Sequence, residues 1–191
     1  MNNLYIRELI EKLEYTEFWN GTVEKCGYDE GIERLTEVFA GHKMRQSSVF
    51  FIGNGGSCAI ASHMTADFMK NGGMNTCCLY DQSVLTCMGN DYGYEHIFAE
   101  QIGRLAKEGD LLVAISSSGN SPNIVRAIEA AREKKAAVLT CTGFLPDNRV
   151  KQMGDINVYV PVSHYGIVES IHNLILQQIV DALMEKDGTQ A

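Results

Sequence analysis

The sequence predicts an α/β fold, a three-layer sandwich in which a five-stranded parallel sheet lies between helices and follows N-terminal helices. Two observations carry this. From Ser47 onward, short apolar runs alternate with amphipathic stretches of helical period, five strands in all. The run at 110–115 is almost continuously apolar, as in a strand buried on both faces. Parallel strands need crossover connections, and the intervening helices supply them.

The elements follow in order. Leu4, Ile6, Leu9, Ile10 and Leu13 recur at helical spacing, as do Ile32, Leu35, Val38 and Phe39, with a break at Asn20-Gly21. Residues 1–45 therefore read as a helical arm, with Tyr15, Phe18 and Trp19 on its first helix. Residues 46–191 read as the α/β core and terminal helix of the same single domain, 1–191. Strands are expected at 49–52, 76–80, 110–115, 136–141 and 156–160. Helices are expected at 57–70, closed by Asn71-Gly72-Gly73, then at 82–88, 94–107, 123–134 and 165–184. In open parallel sheets, ligands bind beyond the carboxyl ends of strands where the order reverses. Loops 53–57, 81–91 and 116–121 should then converge on one crevice.

Composition narrows the function. Lys plus Arg number 16 and Asp plus Glu 24, a formal charge of −8. That balance argues against a nucleic-acid backbone or an anionic membrane as partner. No apolar run approaches the ~18–20 residues that span a bilayer, and the first twenty residues lack a signal-peptide core. A cytoplasmic protein is expected. The cysteines at 26, 58, 77, 78, 87 and 141 show no CxxC spacing and read as reduced, with Cys77, Cys78 and Cys141 inside strands as small hydrophobes.

Two loops suit a phosphate. In Gly53-Asn54-Gly55-Gly56-Ser57, glycines let backbone approach an anion and Ser57 offers a hydroxyl at a positive helix end. The loop lacks the third glycine of the dinucleotide fingerprint and the Lys of a Walker loop, so no nucleotide cofactor is expected. Ser116-Ser117-Ser118-Gly119-Asn120-Ser121 forms a neutral hydrogen-bonding cup before another helix. Such a cup suits a phosphate monoester that brings its own charge.

These loops, with Cys87-Met88-Gly89-Asn90-Asp91-Tyr92-Gly93, resemble the sugar isomerase (SIS) family and, within it, the phosphoheptose isomerases. The resemblance implies the flavodoxin-like strand order 2-1-3-4-5 and a homotetramer or dimer. It implies a sugar phosphate such as sedoheptulose 7-phosphate, interconverted between aldose and ketose through an enediol. It assigns phosphate binding to Ser57, Ser116, Ser117, Ser118 and Ser121, with Gly55, Gly56 and Asn120 in the same loops. Asn54 and Asp91 would face the sugar.

At the reacting end the chain departs from this family. The family's first helix carries His and Glu four apart, and its last helix Gln and His eight apart. Together they can bind zinc, and the Glu and second His are the acid–base pair. Here His63 is followed by Asp67, and Glu169 and Gln177 stand on the last helix. Asn71 replaces an Arg and Gly166 an Asp. His63, Asp67, Glu169 and Gln177 are thus the catalytic candidates, and the same four the candidate zinc set. Two readings follow: an isomerase with rebuilt chemistry, or a non-catalytic sugar-phosphate-binding or scaffolding relative.

Overall fold

The computed structural model describes residues 3–22 and 24–188; the ends of the expected 1–191 domain lie outside them. The parallel strands are β3 (Ser48–Gly53), β4 (Asn75–Cys77), β5 (Leu111–Ser116), β6 (Ala137–Gly143) and β7 (Ile156–Val160). They lie side by side as β4-β3-β5-β6-β7, the expected 2-1-3-4-5 order. All six residues of β5 are buried, because helices cover both its faces.

Alternation along each strand divides the core. Val49, Phe51, Val113, Leu139 and Val158 pack beneath α2 (Tyr28–Arg45), α3 (Gly56–Lys70) and α7 (Tyr165–Lys186). Phe50, Ile52, Leu112, Ala114 and Val138 face α5 (Ala99–Leu105) and α6 (Pro122–Glu133). Helix α1 (Leu4–Glu14) leans on α7, and α4 (Gln82–Tyr92) precedes α5.

The sheet has seven strands, not five. Between α1 and α2, where only a break at Asn20-Gly21 was expected, the chain forms β1 (Glu17–Asn20) and β2 (Glu24–Cys26). β1 pairs antiparallel with β7, and β2 with β1. Phe18 and Trp19 are therefore strand residues. Phe18 is buried against Gly31 of α2, where an added Cβ would overlap its ring.

Smaller differences have local causes. The strand at 76–80 stops at Cys77, and Cys78 is exposed. The short helix expected at 82–88 is α4, which runs on to Tyr92 and is capped by Asp81, whose carboxylate accepts from Val84 N at 3.0 Å. The helix at 94–107 begins as a 3-10 turn and is regular only from Ala99. The six cysteines are free thiols. Among the described residues no helix is long and apolar enough to cross a membrane.

Candidate active site

Sheet order reverses between β3 and β5: the chain passes from β3 outward to β4, then returns to the other side as β5. The loops after β3 and β5 meet at this point, as open α/β sheets require of a ligand site. After β3, Gly53 is fixed by a tyrosine. Its N–H donates to Tyr80 Oη at 2.7 Å and its carbonyl accepts from the same hydroxyl at 3.0 Å. Burial pushes the Tyr80 pKa well above its ordinary value, so the phenol keeps its proton. Gly55 then turns the chain with φ 56° and ψ −121°, a conformation open essentially to glycine. Helix α3 starts at the next residue, with Ser57 buried in its first turn.

The loop after β5 folds on itself, Gly119 N donating to Ser116 O at 3.0 Å. Ser116 and Ser117 are buried, and Ser117 Oγ has no hydrogen-bond partner. A buried hydroxyl left unpaired is unfavourable by itself, and here it borders a cavity. Ser121 stands at the N-cap of α6 with its side chain making no capping bond, and Pro122 follows at the first helical position.

Asn54, Gly55, Gly56, Ser57, Ser116, Ser117, Ser118 and Ser121 line one cavity of about 290 Å³, together with Ile115 and with Tyr165 and Glu169 of α7. Glu169 closes over the start of α3 so tightly that a Cβ on Gly56 would overlap its carboxylate. Asn54 is held by a reciprocal amide pair: each of Asn54 and Asn123 donates Nδ2 to the other's Oδ1 at 2.8 Å. Tyr94 Oη also donates to Asn54 Oδ1, at 3.2 Å.

Two of the expected binding residues are placed elsewhere. Asn120 braces the loop, donating to Ser118 O at 3.0 Å and accepting from Arg149 N at 3.1 Å. Asp91 is exposed at the end of α4, where it accepts from Asn90 Nδ2 at 2.8 Å, and it is not among the cavity-lining residues. Tyr165 and Asn123 were not singled out by the sequence. Each stands in the first turn of a helix, where no periodic signal marks a residue as part of a site.

A second cluster runs along α3 and α7. Asp67 Oδ2 lies 2.8 Å from His63 Nε2 and accepts from Gln177 Nε2 at 2.9 Å, while Asn71 Nδ2 donates to Asp67 Oδ1 at 3.5 Å. Glu169 is eight residues before Gln177, about 12 Å by helical rise, and sits over Gly56 instead. The expected set of His63, Asp67, Glu169 and Gln177 is therefore not assembled. Among the described residues no three His, Cys, Asp or Glu side chains form a metal-holding group. One imidazole, one carboxylate and one amide do not make the zinc set that the resemblance implies.

His172 of α7 is fully buried, with Nε2 3.0 Å from Thr142 O and Nδ1 unpartnered among the described residues. Burial pushes its pKa down to about 4. It is a neutral core histidine joining α7 to β6.

Comparison with known proteins agrees with this geometry. The SIS domain family matches residues 14–143. A phosphoheptose isomerase of Nitratidesulfovibrio vulgaris is 42% identical over 162 residues, covering 81% of this chain and 74% of that protein. One from Enterobacter sp. is 36% identical over 164 residues, covering 82% and 83%. The solved phosphoheptose isomerase of Neisseria gonorrhoeae superimposes with a TM-score of 0.82 at 29% identity, covering 95% of this chain and 96% of that one. The chain belongs to the SIS-domain family, in its phosphoheptose isomerase subfamily.

Proposed function

We propose that the chain is a phosphosugar isomerase of the phosphoheptose type. It would interconvert the aldose and ketose forms of sedoheptulose 7-phosphate or a related sugar phosphate through an enediol. The observation that carries this reading is one cavity where the serine loop, the Gly55-Gly56-Ser57 turn and the Glu169 carboxylate meet. The unpaired Ser117 hydroxyl supplies a donor that a phosphate oxygen would satisfy.

Isomerisation needs a base at the carbon beside the carbonyl. Among the described residues Glu169 is the only carboxylate lining the cavity, and it takes that role. Gln177 cannot exchange a proton and serves to hold Asp67. By helical arithmetic Gly56, His63 and Asp67 share one face of α3, with His63 about 10 Å of rise beyond Gly56. His63 and Asp67 would therefore meet sugar hydroxyls far from the phosphate. Self-association as a dimer or tetramer in the cytoplasm belongs to the same proposal. Leu4 and Ile10, 63% and 51% exposed on α1, support the self-association, and light scattering on the purified protein tests it.

The direct test incubates the protein with sedoheptulose 7-phosphate, then with pentose and hexose phosphates, and follows the aldose and ketose signals by NMR. Turnover of any of them supports the proposal. Binding that depends on Ser117, with no turnover anywhere, would replace it with the non-catalytic sugar-phosphate-binding reading.

A further inference from the structure

We infer that Tyr165 is a second catalytic residue, the proton donor to the substrate carbonyl oxygen, acting opposite Glu169; the inference rests on the isomerase reading. Of the described side chains lining the cavity, only Glu169 and Tyr165 carry an acidic group. They stand four residues apart on α7, so both project from one helix face. The serine hydroxyls and helix-start N–H groups around them donate hydrogen bonds but are far weaker acids than a phenol. The developing oxyanion of an enediol needs a donor aimed at it, and Tyr165 is the most acidic donor among the described residues lining the cavity.

The ring is positioned while its hydroxyl is left free. Tyr165 packs edge-on against Phe144, with centroids 4.7 Å apart. Phe144 is itself fixed at both backbone groups: its N–H donates to Val162 O at 3.1 Å, and its carbonyl accepts from Tyr159 Oη at 2.8 Å. Tyr165 Oη makes no hydrogen bond among the described residues, and the side chain is 58% exposed at the rim of the cavity.

The step balances without a co-reactant. Starting from the ketose, the Glu169 carboxylate takes a proton from the hydroxymethyl carbon. The C–H pair becomes the C=C bond, and the former carbonyl oxygen takes the Tyr165 proton. The enediol then returns its other hydroxyl proton to the tyrosinate as the new aldehyde C=O forms. The C=C pair takes the proton back from Glu169 at the neighbouring carbon. Both side chains end as they began.

Tyr165→Phe keeps the ring on Phe144 and removes only the donor. The experiment measures kcat and KM of this variant and of the native protein on the sugar phosphate turned over fastest. It also measures thermal stability and the affinity for the matching sugar-alcohol phosphate, which binds but cannot isomerise. The expected result is a kcat lower by about 10²–10³-fold, with KM, alditol affinity and melting temperature unchanged. A kcat loss of less than about tenfold, with native turnover intact, overturns the role of Tyr165 alone. Absence of turnover by the native protein overturns the isomerase reading and this assignment with it.

Discussion

Ser117 is buried with an unpaired hydroxyl beside a cavity, and that arrangement separates binding from stability. Ser117→Ala removes a hydrogen bond to a charged oxygen, worth ~1.5–3 kcal/mol. Phosphate-ester affinity should fall about 10- to 100-fold by calorimetry. The fold loses no bond, so the melting temperature should hold or rise. Glu169→Gln is the complementary change. It keeps the contact over Gly56 but abolishes the base, so kcat should fall about 10²–10⁴-fold while calorimetry finds the ligand still bound. Gly56→Ala should act on catalysis indirectly, because its Cβ would occupy the space of the Glu169 carboxylate. A Gly56→Ala protein with full kcat would show that the close approach does not position Glu169.

At the scale of elements, α7 makes stability depend on pH. His172 is buried with its pKa pushed down to about 4, against an ordinary value near 6.5. Protons therefore bind the unfolded chain more readily between those values. Stability is complete above about pH 6.5, falls as pH drops toward 4, and loses roughly 3 kcal/mol over that window. His42, buried beside Ser47 with its pKa also lowered, adds in the same direction. Denaturant titrations from pH 7 to 4 should show the decline, and His172→Gln should flatten it. On the opposite flank, Phe18 anchors β1 to α2, so Phe18→Ala should cost ~3–5 kcal/mol in the same assay.

The parallel strands were legible because burial on both faces demands continuous apolar runs, as in β5. β1 and β2 were not, since only Phe18 and Cys26 of their seven residues are buried. A strand whose partner is β7, more than a hundred residues away, leaves no local period to read. The two loops were legible through residue type: glycines where backbone must turn, and serines that the fold gathers around one cavity. What failed was register across helices. Four-residue spacing correctly paired His63 with Asp67 on one helix, but no spacing rule says which residue of α7 lies opposite. Packing brings Gln177 to Asp67 and leaves Glu169 at the far end, so a carboxylate expected beside a metal stands beside the serines.

For the whole molecule, that register makes a prediction about metal. Protein dialysed against zinc, then against buffer, should retain less than one ion per chain by elemental analysis. A tightly held ion bound through His63, lost on His63→Ala, would show that the donors do assemble. The acidity of the chain fits the same picture. With no Lys or Arg among the described residues lining the cavity, serine hydroxyls and helix starts would hold the proposed phosphate, so binding should weaken little with added salt.

The ends of the sheet have a further consequence. Both outermost strands, β2 and β4, are only three residues long, and β2 carries Glu24 and Lys25. Short, charged borders offer almost no unpaired backbone to a passing strand. The antiparallel pair β1 and β2 closes off β7, which would otherwise present a five-residue edge with Asn157 as its one amide side chain. Copies of this chain are thereby denied the route by which open sheets fuse into fibres. Assembly of copies is left to side chains meeting across helix surfaces and not to backbone pairing at the sheet borders.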